Sequence, residues 1–270
     1  MLALTGSTVT YAPGFTLGAG TIQLDQTLSL FSAPIATSAA TTVSLNPGAN
    51  GSIGVSVNPG ATPFAVSGAG QLIKPGATGA AYVLNVFGNF SYTGPTTVQS
   101  GSLLLSPNAI TNAAPTFAGT SMVNIGSPGQ NTSNTGISFG LDNAGATGVI
   151  SVGSGAIPVN FIGRDSAVTT IRNADFGSNL NLNGSVNRSP GATGIFSFVN
   201  NVTFQPSPDD AIMTSNRIYV AGSAGVINPG VYVTSGNYGN TIVRTDFAYR
   251  SEEHTSELQS PCNLVCRLLL

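Results

Sequence analysis

The sequence predicts an all-β protein: a parallel β-helix or β-solenoid of short strands, with little or no helix. Three observations predict it. Apolar residues alternate with polar ones in short runs, so one side of each run is apolar. Pro-Gly dipeptides stand between the runs. A Gly-Ala-Thr-Gly segment recurs along the chain.

The strands come first. Thr21-Ile22-Gln23-Leu24-Asp25 alternates, as do Ile53, Val55 and Val57, then Ile137, Phe139 and Leu141, and finally Val202 and Phe204. Tyr82-Val83-Leu84-Asn85-Val86-Phe87 is a longer run that predicts a more buried strand. Helix signals are nearly absent, because Gly or Pro interrupts almost every stretch. Pro-Gly occurs at 13–14, 47–48, 59–60, 75–76, 128–129, 190–191 and 229–230. Pro presets φ at the first central position of a type II turn, and Gly accepts the positive φ of the second. Repetition selects a solenoid over a sandwich or barrel. Gly76-Ala77-Thr78-Gly79 is echoed at Gly145-Ala146-Thr147-Gly148 and at Gly191-Ala192-Thr193-Gly194. These separations suggest coils of about 23 residues that vary in length, since the echo is imperfect, hence roughly 11 coils and a rod on the order of 50 Å. Asn46, Asn58, Asn181, Asn183, Asn200 and Asn201 sit near turns, where stacked amides can bond along the axis.

Composition divides the chain at residue 250. His254, Cys262, Cys266, Glu252, Glu253 and Glu257 are the only His, Cys and Glu residues, and all lie beyond Tyr249. Arg250 to Ser260 resembles the translation of a common short-read library adapter, and Asn263 to Leu270 its second constant block. Pro261 and Cys262 would fall on the variable index between them. The expected organisation is therefore a β-solenoid segment over 1–249 and a non-native tail over 250–270 that does not pack on it. Met1 to Thr10 already reads as repeat sequence, so the segment is expected to be a fragment of a larger protein.

Without the tail, the charges are Lys74, Arg164, Arg172, Arg188, Arg217 and Arg244 against seven Asp, a net −1. Nothing in that balance attracts nucleic acid or an anionic membrane. No stretch is long and apolar enough for a membrane helix.

Ser67-Gly68-Ala69-Gly70-Gln71-Leu72-Ile73-Lys74 and, further on, Tyr92-Thr93-Gly94-Pro95-Thr96-Thr97-Val98 with Gly101-Ser102-Leu103 resemble the autotransporter-associated β-strand repeat. That pattern runs Gly-x-Gly-x-Leu-x-Lys, a short strand, Tyr-x-Gly-x-Thr-x-Val and Gly-x-Leu. Leu72, Lys74, Tyr92, Gly94, Thr96, Val98, Gly101 and Leu103 occupy its positions, and Pro95 departs from its usual small residue. The resemblance runs from Ser67 to Ser106, one copy in the segment. It implies a right-handed parallel β-helix in a large bacterial protein, secreted or held at the outer membrane through a C-terminal barrel or anchor.

Chemistry has few groups to work with. Without His or Cys, serine-triad, thiol and typical zinc chemistry have no side chains in 1–249. A Ser with Lys74 as base is conceivable, but Lys74 precedes Pro75 in a turn. The carboxylate route uses Arg164-Asp165, Arg172 with Asp175, and Asp209-Asp210. At the expected coil length Asp142 would stack on Asp165, and Arg164 approximately on Arg188, where paired carboxylates can share a proton or bind Ca²⁺. The reading assigns no catalytic, cofactor-binding or metal residue. It expects a non-enzymatic structural or adhesive passenger-type segment whose partners are surface glycans or other cell-surface proteins. The alternatives are an extracellular β-helix polysaccharide lyase or hydrolase using the Asp/Arg cluster, and a viral or phage fibre segment.

Overall fold

The computed structural model describes residues 1–4, 14–25, 33–46, 50–54, 64–76, 82–107, 113–128, 137–143, 150–153, 155–164, 166–172, 177–200, 217–220, 225–226, 231–237, 244–247 and 249–250. Among the described residues there are strands and turns and no helix. The fold is an all-β parallel solenoid. The chain visits the same sheets in rotation and returns one strand further along each time.

Sheet 1 stacks Leu2–Leu4, Gly20–Asp25, Thr41–Asn46, Gln71–Lys74, Thr96–Val98, Val123–Ile125, Ile157–Phe161 and Asn183–Arg188. Sheet 2 stacks Phe15–Leu17, Pro34–Thr37, Ala65–Gly68, Asn89–Phe90 and Thr116–Phe117. Sheet 3 stacks Gly51–Ile53, Val83–Val86, Ser102–Leu105, Ile137–Asp142, Ser166–Arg172, Gly194–Asn200 and Val231–Asn237, ending on Arg244–Phe247. Sheet 4, of Ile150–Val152, Ser178–Asn181 and Arg217–Tyr219, takes the place of sheet 2 in chain order in the later coils.

The pairings between successive coils are parallel, as expected where each strand meets its counterpart one circuit later. Two pairings break the rule. Arg244–Phe247 runs antiparallel to Val231–Asn237, and Tyr249–Arg250 runs antiparallel to Gly225–Val226. Arg250, counted with the tail by composition, thus pairs with Gly225. The expectation that the tail stays off the body otherwise concerns 251–270, outside the described residues.

The core is built from the alternate residues of each strand. Ile22, Val43, Leu72, Thr96, Val123, Val159 and Val186 form one inward row of sheet 1. Leu84, Leu103, Phe139, Val168 and Phe196 form a row of sheet 3. Ile35, Val66, Phe90 and Phe117 do the same in sheet 2. Phenyl pairs cross between sheets: Phe117 lies 5.1 Å from Phe139, and Phe161 meets Phe196 edge-on at 5.9 Å.

The circuits vary in length, as expected, but all except the first in the inward row of sheet 1 are longer than 23 residues. The inward row of sheet 1 falls at positions 22, 43, 72, 96, 123, 159 and 186. The circuit from Val123 to Val159 is therefore far longer than the one from Ile22 to Val43. The eight strands of sheet 1 at about 4.8 Å spacing span roughly 34 Å, and sheet 3 carries the stack further through Val231–Asn237 and Arg244–Phe247. The Gly-Ala-Thr-Gly echoes lead into different sides. Val83 and Gly194 begin sheet 3 strands, whereas Ile150 begins a sheet 4 strand. They are similar entries into a strand, not equivalent positions of one repeat.

The variation is unevenly placed. Connections from sheet 2 or 4 into sheet 1 have one to five residues (182 at the shortest, 91–95 and 118–122 at the longest). Those from sheet 1 to sheet 3 have three to eleven (99–101 and 126–136). Those from sheet 3 to sheet 2 or 4 range from two to sixteen (87–88 and 201–216).

The turn expectation is met at Pro190-Gly191. Ala192 N donates to Ser189 O at 3.0 Å across the turn. Gly191 has a φ of 78°, as the second central position of a type II turn requires. The expectation is not met at Pro75-Gly76, where Gly76 lacks the positive φ that a type II turn requires. The pairs at 47–48, 59–60 and 229–230, and the strand expected at Val202 and Phe204, lie outside the described residues.

Two variants test this packing by urea unfolding. Phe139→Ala empties a core site with 0 % exposure and should destabilise by about 3–5 kcal/mol. Inserting four Gly/Ser residues after Asn108, in the connection 106–115, should cost well under about 1 kcal/mol.

Candidate functional site

The stretch that carries the repeat resemblance forms one corner and the coil above it. Gly68 ends a sheet 2 strand with φ 93°, and Ala69 N donates to Thr37 O of the preceding coil at 3.1 Å. Gly70 N donates to Thr37 Oγ1 at 2.9 Å. One coil on, Gly94 lies so close to Gly70 that a Cβ on it would stand 2.3 Å from Gly70 O. One coil further, Thr120 Oγ1 donates to Gly94 O at 2.8 Å. Threonines therefore fill the room left where two glycines pass, and the tight corner keeps backbone on backbone.

Inside the corner Tyr92 is 1 % exposed, and its hydroxyl hydrogen-bonds to Thr96 Oγ1. Thr96 Oγ1 in turn lies 3.1 Å from Thr120 Oγ1. Three buried hydroxyls satisfy one another across two coils, as burial of polar groups demands. Desolvation pushes the Tyr92 phenol well above its ordinary value, and the bond to Thr96 only partly offsets this.

Lys74 lies on the inward side of sheet 1, in register with Val98, and is 1 % exposed. Its ammonium nitrogen donates to the Ser100 carbonyl in the next coil. Burial lowers the amine from 10.5 to about 8. Its contact is with a backbone carbonyl, so the geometry does not pair it as a base with a serine hydroxyl. The turn reading of Lys74 misses this burial. The signal was its spacing: two residues after inward Leu72, it shares that face.

The outward side of sheet 1 carries an amide ladder that the sequence reading also misses. Thr97, Asn124, Asn160 and Asn187 are successive partners in register. Asn160 Nδ2 donates to Asn124 Oδ1 at 2.9 Å, and Asn187 Nδ2 to Asn160 Oδ1 at 3.0 Å. The expected stacking of asparagines does occur, at mid-strand in this ladder, and Asn200 at a strand end is in register with Asn237; Asn58 and Asn201 lie outside the described residues. The signal lay in Val-Asn at 123–124, 159–160 and 186–187, where Val points inward and Asn out.

Of the nominated Asp/Arg set, the described residues place Asp142, Arg164, Arg172 and Arg188. Asp142 is buried at the end of its sheet 3 strand and pairs with Ile171, because the circuit there is longer than the expected period. The expected stack of Asp142 on Asp165 is therefore corrected. Arg164 is exposed in the turn before Ser166, at the other end of the same sheet. Ser166 and Ile171 stand at opposite ends of their strand, about 16 Å apart. Arg188 pairs with Phe161, and its guanidinium donates to Ala192 O at 2.7 Å. Arg164 and Arg188 thus share the corner between sheets 1 and 3 on adjacent coils. Arg172 ends a sheet 3 strand. Asp165, Asp175, Asp209 and Asp210 lie outside the described residues. No group of three or more His, Cys, Asp or Glu among the described residues is placed to hold a metal ion.

Comparison with protein families, with curated proteins and with solved structures returned no match to this chain.

The corner predicts a contrast between two glycines. Gly94→Ala forces backbone apart and should destabilise by about 1–3 kcal/mol in urea unfolding. Gly76→Ala, whose Cβ would meet nothing nearer than 3.9 Å, should stay within about 0.5 kcal/mol of the parent.

Proposed function

We propose that residues 1–249 are a non-enzymatic, structural and adhesive passenger-type segment of a bacterial secreted or cell-surface protein. The observation that carries this reading is the uneven distribution of connection lengths. One corner of the coils is kept short, while another bears connections of up to sixteen residues, 201–216. A rigid stack whose strands are joined by chain of such variable length suits a scaffold with a contact surface.

Two further features support it. The outward row of sheet 1 that runs through the amide ladder is Gln23, Ser44, Ile73, Thr97, Asn124, Asn160 and Asn187, with no charge. Residues 1–249 contain no His, Cys or Glu, which leaves few groups for acid–base or nucleophilic work. The partners this surface suits are neutral or weakly charged: surface glycans or other cell-surface proteins. Each contact is weak, and repetition along many copies supplies the strength.

The test is adhesion. Chains crowded on beads should bind glycan- or glycoprotein-coated plates, with free chain on the order of 10²-fold weaker. Replacing residues 55–63 and 108–112 by short Gly/Ser links, which keeps buried Phe64 and Ser106 in place, should reduce bead binding severalfold while the far-UV circular dichroism stays β. Release of reducing ends from a polysaccharide, lost in Asp142→Asn, would instead establish the enzyme. A trimeric solution mass would point to a fibre.

A further inference from the structure

Lys74 is the single lysine of the chain, and the one charged side chain between Asp25 and Asp142. It is also among the largest fully buried side chains of the core. An ammonium has three protons to donate and a strong demand for solvation or a counter-charge. Among the described contacts Lys74 has one acceptor, the Ser100 carbonyl.

Among the described residues, the packed neighbours offer no ion partner. Thr41–Asn46 and Thr96–Val98 flank its strand in sheet 1, and Val83–Val86 and Ser102–Leu105 lie across the corner in sheet 3. None of these four strands contains Asp, Glu, Lys, Arg or His. The titratable side chains beside them are two tyrosines, Tyr82 ahead of Val83 and Tyr92 ahead of Thr96. The Tyr92 hydroxyl is engaged with Thr96, which pairs with Leu72 and not with Lys74.

The turn that Lys74 holds is a structural joint. Residues 99–101 carry the chain from sheet 1 to sheet 3, and Gly101 there has φ 60°. Gln99 N donates to Lys74 O at 2.9 Å, and Ser102 N to Tyr82 O at 3.0 Å. Lys74 thus grips this turn twice, through its own carbonyl and through its amine. A neutral amine can still donate to Ser100 O and lies well among Val and Leu. A charged amine at the same place is short of two acceptors.

We propose that Lys74 is a pH-sensitive latch on the corner between sheets 1 and 3: uncharged it locks the corner, and protonated it loosens it. The sign follows from linkage. Burial holds the folded amine near 8 against an ordinary 10.5, so between these values the unfolded chain binds the extra proton. Stability therefore rises as pH goes from about 8 towards 10.5, and below 8 the folded protein carries the full cost of the buried charge. Above about pH 10 the Tyr92 phenol, held protonated in the fold, acts in the opposite direction.

The test uses the full chain in two measurements. With a single lysine, ¹³C-lysine labelling gives one Cε signal to titrate. A midpoint near 8 is expected, and a midpoint near 10.5 would overturn the proposal. Thermal unfolding is then compared with Lys74→Met at pH 6.5 and 9.5, below the range of the phenol. The parent should gain on the order of 5 °C relative to Lys74→Met over that interval. Lys74→Met should already be the more stable protein at pH 6.5, and Lys74→Arg, which cannot discharge, should show no relative gain. Parallel pH curves for the parent and Lys74→Met would overturn the latch even if every variant folds.

Discussion

The constraint on which the structure depends is the parallel hydrogen-bond ladder between successive coils. A strand inside such a stack uses its backbone groups on the coil before and the coil after, and it has no other partners. Each circuit must therefore bring three short strands to fixed levels. What happens between them is free, provided the ends arrive. That is why Ile22, Val43, Leu72, Thr96, Val123, Val159 and Val186 stand in one row although the chain between them varies so much in length. The fold keeps register, not period.

The interior follows from the same geometry. Alternate side chains of three sheets converge on a shared interior, where Phe90, Phe117, Phe139 and Phe161 are among the largest fully buried side chains. Some polar groups in this space find each other, whereas the buried hydroxyls of Ser106 and Thr170 have no hydrogen-bond partner among the described residues. Tyr92, Thr96 and Thr120 find each other across two coils. Lys74 finds a carbonyl and, among the described residues, no carboxylate, which leaves its charge uncompensated in the core. The outward ladder of Asn124, Asn160 and Asn187 uses the same spacing between coils to opposite effect, tying the coils together where water competes for every bond.

The fold class was legible because it rests on local signals. Alternation placed the strands at Thr21–Asp25, Val83–Val86 and Ile137–Leu141, and Pro190-Gly191 specified its turn. The coil length was not legible, because it depends on which strand meets which, and that is decided by contacts between coils. The same error misplaced the carboxylates: Asp142 and Asp165 stand one expected period apart, but Asp142 faces Ile171. Lys74 and the asparagine ladder were legible in part. Both obey the two-residue alternation, but a lone Lys before Pro reads as surface turn, and Val-Asn reads as an ordinary strand pair. Direction was hidden too. Nothing in Arg244-Thr245-Asp246-Phe247 says that this strand pairs antiparallel, since a reversal is set by the path of the connection before it.

The uneven corners have a consequence for how such a chain diverges over generations. A nucleotide insertion in frame within 54–64 or 106–115 lengthens a segment between strands whose levels stay as they were. The same event at Ala69-Gly70, or a replacement at Gly94, displaces the coils on either side. Selection therefore acts on the two corners in opposite ways, purging variants at one and admitting them at the other. Related chains should share their tight corner residue by residue while differing in length at the long one. A lineage built like this can change what it touches without renegotiating how it folds.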